Sequence, residues 1–122
     1  LRGDIDAQYR MGLSKIPGIQ CLAISEGVQR NFSYFPILVR PQYPVSRDRL
    51  YVALKEQGIH PRRYFYPLIS DFPMYRDLPS ANTSVLPHAS EVANQVLCLP
   101  IYPELDQATV DRIVSLIRSL AN

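Results

Sequence analysis

Apolar residues recur with helical spacing at both ends of the chain. Near the start, Ile5, Tyr9 and Leu13 fall four positions apart, which predicts a helix over residues 1–14. Near the end, a second apolar stripe predicts an amphipathic helix that begins after Asp106. Its members are Val110, Ile113, Val114 and Ile117.

Four short apolar runs between these helices predict strands. They cover residues 19–24, 32–39, 62–69 and 96–101. Pro36, in the second run, cannot donate a ladder hydrogen bond, so this strand is expected at a sheet edge or at a bulge. Tyr34 and Phe35 in the same run are predicted to lie in the core.

Two further helices are predicted between the strands. Ser46 caps the first of them, and Arg47 and Arg49 are expected on its solvated face. The second should cover about residues 88–95. Residues 70–86, rich in Pro, Ser and Asn, form a loop long enough to suggest a function as a lid or a dimer contact. Strands and helices thus alternate around a small sheet.

Composition and charge fit one globular domain. The chain has 122 residues, 47% of them hydrophobic, and a net charge of +2, which is too small to imply bulk nucleic-acid binding. Lys15 and Lys55 are its only lysines, so eleven of its thirteen basic residues are arginines. No apolar run is long enough for a membrane span, and the first residues form no signal peptide. A cytoplasmic protein is therefore expected, with Cys21 and Cys98 as buried, reduced thiols.

The segment HPRRYFYPLISDFPMYR, residues 60–76, places arginines beside aromatic rings. Guanidinium groups grip phosphates and carboxylates with paired hydrogen bonds, and tyrosine rings stack or donate an O–H. On a strand, alternate side chains share a face: Arg62, Tyr64 and Tyr66 on one, and Arg63, Phe65 and Pro67 on the other. We expect the first face to meet a flat, anionic ligand. The alternative is that the rings pack in the core while the arginines are solvated or paired with Asp71 and Asp77.

The sequence carries no complete catalytic apparatus. It has no Gly-rich phosphate loop and no nucleophile motif. His60 and His88 lack partners at metal-ligand spacing, so no metal site is expected. Neither Lys15 nor Lys55 lies in the apolar setting that Schiff-base chemistry requires. We therefore expect no catalytic residue in this chain.

Four segments, in this order, resemble the C-terminal part of the pyridoxal-phosphate-dependent sugar aminotransferases of the DegT/DnrJ/StrS family: FSYFPILV, RDRLYVALKEQGI, GIHPRRYFYPLISDFPMYR and LPHASEVANQVLCLPIYPEL. The form RRYFYPLIS is most similar to members that aminate dTDP-4-keto-6-deoxy sugars. Many members carry a His after the Pro-Leu of this motif. This chain has Ile69 and Ser70 there, so the role of that His does not carry over.

The resemblance implies the small domain of a fold-type-I aminotransferase. Its fold would belong to the broad α/β class, with the small domain itself of the α+β type. It would contain a small, mainly antiparallel sheet with helices packed on it. Residues 1–14 would be the end of an inter-domain helix and residues 15–122 the C-terminal domain. Pyridoxal 5'-phosphate would be bound by a large domain that is not in this chain, so no cofactor-binding residue is expected here and the isolated chain should be inactive.

The implied reaction moves an amino group from an amino acid, expected to be glutamate, to a nucleotide-linked keto-deoxy sugar. The full-length enzyme is expected to be a homodimer that binds neither nucleic acid nor membrane. Together with the chemistry of the segment, the resemblance assigns substrate binding to five residues: Arg62, Arg63, Tyr64, Tyr66 and Ser70.

Two other hypotheses remain open. The order of strands and helices is compatible with a stand-alone ferredoxin-like module that binds single-stranded nucleic acid or a protein partner, with basic and aromatic residues on its sheet. An interaction domain without any ligand would expose the same aromatic residues at a protein interface.

Overall fold

A three-stranded antiparallel sheet lies at the centre of the fold. Its strands are β1 (Ile19–Cys21), β2 (Phe35–Val39) and β3 (Val96–Leu99), in the order β1-β2-β3. In the register, Ile37 of β2 lies opposite Cys21 on one side and Leu97 on the other. This is a computed structural model, and it describes residues 1–63, 66–82 and 84–122. The predicted α+β architecture, a small antiparallel sheet with packed helices, is confirmed.

Four α-helices and two short 3-10 turns complete the described structure. The helices are α1 (Arg2–Leu13), α2 (Arg47–Glu56), α3 (Pro87–Gln95) and α4 (Gln107–Leu120), and the 3-10 turns are Ile69–Asp71 and Pro79–Ala81. The side chain of Ser46 accepts a hydrogen bond from the backbone of Arg49, and Asp106 accepts one from Thr109. Both predicted N-caps are therefore confirmed. None of the helices in the described ranges is long and apolar enough to cross a membrane.

The main core lies between one face of the sheet and the helices α1, α2 and α4. Phe35, Ile37 and Leu97 point from the sheet into this core, where they meet Tyr9 of α1 and Ile113 of α4. Leu38, Val96 and Cys98 are also buried, but they lie outside this cluster, on the opposite face, where α3 contacts β2. The small sheet is thus covered on both faces.

Pro36 lies in the central strand, so the prediction that this strand forms an edge is wrong. Pro36 pairs with Cys98 of β3, whose own N–H and carbonyl point away from β2, toward Arg62. In an antiparallel pair this makes Pro36 and Cys98 a pair without mutual hydrogen bonds. The backbone nitrogen of Pro36 therefore points toward the β1 side, where β1 has already ended at Cys21. No ladder bond is lost there.

The strand predicted over residues 62–69 is also wrong for the part of it that the structure describes. Only Arg62 pairs with the sheet, through one bridge to Cys98 in which the two backbones exchange N–H···O bonds of 3.0 and 2.8 Å. Ile69 already belongs to a 3-10 turn. In the antiparallel register of this bridge Tyr66 would face Asn94, which belongs to α3 and not to β3, so the pairing cannot extend to Tyr66. The ferredoxin-like alternative expects four strands, and the described residues form three.

The two cysteines are free thiols on the sheet. Cys98 is buried and Cys21 is half-buried. Burial raises the pKa of the Cys98 thiol to about 11, although the guanidinium of Arg62 acts in the opposite direction. Burial also raises the pKa of Cys21. Both groups are therefore protonated at neutral pH and serve as small apolar side chains rather than as nucleophiles.

An ion-pair cluster ties the irregular residues 22–34 to α1. Asp6 is buried, and its carboxylate accepts two hydrogen bonds from Arg30, at 2.7 and 3.2 Å, and one from Arg10, at 2.7 Å. Arg10 also donates to the carbonyl of Leu22 at 2.7 Å. Burial alone would raise the pKa of Asp6, but the hydrogen bonds from Arg30 and Arg10 outweigh it and lower that pKa below its usual value.

We expect Asp6→Asn to destabilise the chain in a pH-dependent way. The lowered pKa of Asp6 means that its contribution is present above the carboxyl pKa of the unfolded chain, about 3.9, and is lost as the pH falls through the folded value. Urea unfolding at neutral pH should show a loss of about 1.5–3 kcal/mol relative to the unsubstituted chain. The difference should shrink below about pH 4.

Asp4→Asn is the matched control, since Asp4 lies two residues earlier on the same helix but its side chain is 92% exposed. It should change the unfolding free energy little at either pH. A loss for Asp6→Asn that stayed equally large at low pH would show that packing, and not the charge of Asp6, holds residues 22–34 in place.

Candidate functional site

The five residues predicted to bind substrate do not lie together. Arg62 lines a groove beside the end of β3, whereas Arg63 and Tyr66 contact the start of α2. Ser70 is half-buried in the 3-10 turn Ile69–Asp71. Tyr64 lies outside the described residues, so its predicted role stays a prediction.

Arg63 and Tyr66 belong to a compact group with Arg47, Asp48 and Tyr51 of α2, here called the α2 cluster. The guanidinium carbon of Arg63 lies 4.9 Å from the ring centre of Tyr51 and 5.0 Å from that of Tyr66. The guanidinium carbon of Arg47 lies 4.7 Å from the Tyr66 ring. Asp48 accepts a hydrogen bond from Arg47 at 2.8 Å and another from Arg63 at 3.4 Å. Two cations thus flank one tyrosine ring and share one carboxylate.

This arrangement corrects the predicted faces of the segment. Arg63 and Tyr66 were expected on opposite faces of a strand, but the backbone N–H of Tyr66 donates to the carbonyl of Arg63 at 3.2 Å and brings the two residues side by side. Among the described residues of this segment only Arg62 pairs with the sheet, so strand alternation does not determine how Arg63 and Tyr66 are placed. The alternative pairing of these arginines with Asp71 and Asp77 is also not seen: the carboxylate beside Arg63 is that of Asp48.

Arg47 is a functional candidate, although it was predicted to lie on the solvated face of its helix. It is only 3% exposed, and one of its terminal nitrogens donates to the carbonyls of Ala93, at 2.7 Å, and Val96, at 3.0 Å. Arg49, two residues later, is exposed as predicted. A signal was present in the sequence: positions 47, 50 and 54 fall on one helical face, and the latter two are the buried residues Leu50 and Leu54.

Arg62 lines a groove of about 400 Å³, here called the Arg62 groove. Two other basic residues, His60 and Arg112, and two aromatic residues, Tyr34 and Tyr102, also line it. The described lining contains no aspartate or glutamate. Tyr34 is 52% exposed here, so its predicted place in the core is wrong, whereas Phe35 is buried as predicted. The groove therefore combines exposed rings with uncompensated positive charge.

The two arginines of this groove differ in how they are held. Arg112 donates to the backbone carbonyl of Gln57 at 2.8 Å, which fixes its position without neutralising its charge. Within residues 1–63, 66–82 and 84–122, no side chain forms an ion pair or a hydrogen bond with the guanidinium of Arg62. Its backbone, by contrast, is held by Cys98. Arg62 thus has a fixed backbone, and the N–H donors of its guanidinium are unengaged by the described residues. This arrangement suits Arg62 to bind an anion.

Neither lysine of the chain lies in a setting that could bind pyridoxal phosphate covalently. Lys15 is exposed just after α1, and Lys55 is exposed on α2 with its amine 3.5 Å from the hydroxyl of Tyr51. Schiff-base lysines need a desolvated or otherwise lowered pKa. Neither Lys15 nor Lys55 meets that requirement. No group of three or more metal-ligating side chains occurs among the residues that the structure describes.

Comparison with known proteins gives a consistent result. The DegT/DnrJ/EryC1/StrS aminotransferase family matches residues 1–118. The chain is 47% identical over 113 residues to a dTDP-4-amino-4,6-dideoxy-D-glucose transaminase from Escherichia coli, covering 93% of the chain and 30% of that protein. It is 44% identical over 122 residues to the Shigella dysenteriae protein of the same name, covering 98% of the chain and 33% of that protein. The chain thus spans about a third of the length of these relatives.

Solved structures agree with the sequence comparison. The structure of DesI in the presence of its TDP-sugar product superposes with a TM-score of 0.88 and 28% identity, covering 98% of this chain and 30% of that one. The structure of S. venezuelae DesV in complex with a ketimine intermediate gives a TM-score of 0.84 and 28% identity, covering 99% of this chain and 31% of that one. A stand-alone nucleic-acid-binding module has no support from these matches. The chain belongs to the DegT/DnrJ/EryC1/StrS aminotransferase family.

Proposed function

We propose that this chain is the C-terminal small domain of a pyridoxal-phosphate-dependent aminotransferase that acts on a nucleotide-linked keto-deoxy sugar. The observation that carries the proposal is the 47% identity to a dTDP-4-amino-4,6-dideoxy-D-glucose transaminase over 93% of the chain. The amino donor would be an amino acid, with glutamate as the expected one. The full-length enzyme would be a cytoplasmic homodimer.

In this proposal the cofactor is held outside the present chain. Residues 1–14, which include α1, would be the end of the inter-domain helix, and residues 15–122 the small domain. Pyridoxal phosphate supplies the electron sink for moving the amino group. The lysines of this chain are exposed and lie apart from the Arg62 groove, so the small domain would bind and orient substrate rather than bond the cofactor.

The Arg62 groove is the part of the domain best suited to the anionic end of a sugar nucleotide. A volume of about 400 Å³ is in the range of small-ligand sites, and its two arginines lack a carboxylate in the described lining. A diphosphate would accept charge-assisted hydrogen bonds from Arg62, with Arg112 adding positive charge nearby. The ring of Tyr102 would offer a flat apolar face to the base.

The α2 cluster would act through Arg63 and Tyr66, which follow Arg62 in the sequence but lie outside the lining of the Arg62 groove. Arg63 is engaged by Asp48 and by two rings, so its first role would be to hold Tyr66 rather than to grip substrate. Tyr66 and Ser70 would contact the sugar, and Ser70 would stand near the position where many family members carry a His. A hydroxyl there offers one donor and two acceptors to a sugar but no imidazole for proton transfer.

The isolated 122-residue chain should not catalyse transamination. It has no lysine in a suitable setting, so it should show no turnover when mixed with pyridoxal phosphate, glutamate and a dTDP-4-keto-6-deoxy sugar, as followed by mass spectrometry of the sugar nucleotide. The full-length enzyme, assayed in parallel, should form the amino sugar. Turnover by the isolated chain would contradict the proposal that the cofactor is held elsewhere.

In the full-length enzyme, Arg62→Ala should weaken the keto-sugar half-reaction more than the amino-donor half-reaction. Loss of one charge-assisted contact is worth about 1.5–3 kcal/mol, which corresponds to a roughly ten- to hundredfold effect. Because the backbone of Arg62, and not its side chain, pairs with Cys98, the fold should tolerate the change. Single-turnover kinetics of each half-reaction is the measurement.

Arg49→Ala serves as the control, since Arg49 is also exposed but lies outside the groove. The rates of both half-reactions in Arg49→Ala should match those of the unsubstituted enzyme. A keto-sugar step in Arg62→Ala that stayed within about twofold of the unsubstituted enzyme would remove Arg62 from the substrate site.

A further inference from the structure

Arg47 is a buried cation whose place in the fold calls for an explanation. Its side chain is 2% exposed, yet the carboxylate that pairs with it, Asp48, is 59% exposed. Burying a guanidinium without a buried counter-charge is costly unless its N–H groups find acceptors. A simple core position at the start of α2 would be filled at lower cost by an apolar residue, as at Leu50 and Leu54.

The donors of Arg47 connect α2 to the junction of α3 and β3. Its Nε donates to Asp48, and a terminal nitrogen donates to the carbonyls of Ala93 and Val96. Ala93 lies in the last turn of α3, where carbonyl groups lack helical partners and carry the negative end of the helix dipole. A cation is favoured there. Arg47 is therefore fixed by three acceptors and has no freedom to move independently of these elements.

The fixed guanidinium of Arg47 lies over the ring of Tyr66. The guanidinium carbon of Arg47 lies 4.7 Å from the centre of the Tyr66 ring, and the more exposed Arg63 lies 5.0 Å from it. The ring is 42% exposed, and no hydrogen bond of its hydroxyl to another described residue occurs. Tyr66 directly precedes Pro67 and leads to the turn that contains Ser70. The ring thus contacts two guanidinium groups, while its hydroxyl has no hydrogen-bond partner among the described residues.

We propose that Arg47 is a positioning residue that fixes the Tyr66 ring, and with it the segment from Tyr66 to Ser70, against the sugar of the substrate. This inference rests on the proposed sugar-nucleotide aminotransferase function for its ligand, but the contact between Arg47 and Tyr66 stands on the geometry alone. Arg47 does not touch the substrate. It acts through Tyr66, because the scaffold formed by α2, α3 and β3 holds its guanidinium in one orientation.

The role requires an arginine and not merely a positive charge. A guanidinium donates in its plane to several acceptors and at the same time stacks its face on an aromatic ring, whereas an ammonium is a compact point charge without a plane. Arg47→Lys therefore preserves the charge and much of the length but removes both the fork and the stacking face. It is the variant that distinguishes positioning from simple charge.

The first experiment measures the contact itself in the full-length enzyme without substrate. With 3-fluorotyrosine incorporated, the ¹⁹F signal of Tyr66, assigned by its loss in Tyr66→Phe, should shift and broaden in Arg47→Lys. The same signal should be unchanged in Arg49→Lys, because Arg49 lies in the same helical turn but is exposed. An unchanged Tyr66 signal in Arg47→Lys overturns the proposal, whatever the enzyme's substrate is.

The second experiment measures the consequence for the reaction. Arg47→Lys should slow the keto-sugar half-reaction by about three- to thirtyfold, the range of one desolvated cation–π contact, and leave the amino-donor half-reaction within about twofold. In a Tyr66→Leu background, which lacks the ring, Arg47→Lys should cause no further loss. Equal losses in both half-reactions, or fully additive losses in the double variant, would make Arg47 a purely structural residue and overturn the proposal.

Two outcomes separate this proposal from the proposed function. If the unsubstituted enzyme does not aminate a nucleotide-linked keto sugar, the proposed function fails, and the ¹⁹F measurement alone decides whether Arg47 positions Tyr66. If Arg47→Lys does not fold, the slowly exchanging Nε–H of Arg47 is followed by ¹⁵N NMR in Tyr66→Leu instead. Its signal should move when the ring is removed, and an unmoved signal overturns the proposal.

Discussion

The buried side chain of Tyr9 constrains how α1 packs on the sheet. The ring of Tyr9 stacks on Phe35 of β2, with centres 4.8 Å apart, and neither side chain is appreciably exposed. A buried phenol needs a partner, and Tyr9 donates to the carbonyl of Pro100 at 2.8 Å. Burial also raises the pKa of Tyr9 well above its usual value, so the hydroxyl stays a donor. One side chain therefore sets α1, β2 and the exit from β3 in a single arrangement, and the Arg62 groove lies against that exit.

Arginine performs three separate tasks in this small domain. Arg10 and Arg30 neutralise the buried Asp6 and hold an irregular segment on α1. Arg47 joins three elements through backbone carbonyls, and Arg62 presents free donors to a groove. The planar guanidinium suits all of these settings, because it hydrogen-bonds at its edge and packs at its face. The neighbours of each arginine, and not its residue type, decide which task it performs.

Local signals in the sequence identified most of the regular structure. The caps at Ser46 and Asp106 and the apolar stripes of α1 and α4 depend only on residues within a few positions, and all of them are confirmed. The errors concern long-range pairing. The central strand tolerates Pro36 because β1 ends at Cys21, 15 positions away, so no β1 residue pairs with Pro36. The spacing of Arg47, Leu50 and Leu54 places Arg47 on the buried face of α2, but its acceptors, the carbonyls of Ala93 and Val96, lie 46 and 49 positions away.

The same limit explains why the candidate site was only partly foreseen. The arginine- and tyrosine-rich segment contributes to the candidate site, but period-two alternation grouped Arg62 with Tyr66, whereas the structure places Tyr66 beside Arg63. The members of the site contributed by α2 are polar residues on the first turn of a helix, a pattern shared by countless solvated helices. Helical spacing with Leu50 and Leu54 sets Arg47 apart from Arg49, but the contacts of Arg47 and Asp48 across the fold appear only in the structure.

The bridge between Arg62 and Cys98 has a consequence for how such a domain can diversify. The two residues are joined entirely through main-chain atoms, so any residue with a normal backbone N–H preserves the pairing at position 62. The side chain at this position is exposed and carries no structural hydrogen bond among the described residues. The identity of the side chain at position 62 is therefore uncoupled from this main-chain pairing. A substitution there changes the chemistry that the groove offers at little cost in stability, which makes the position a natural point of divergence among domains that share this scaffold.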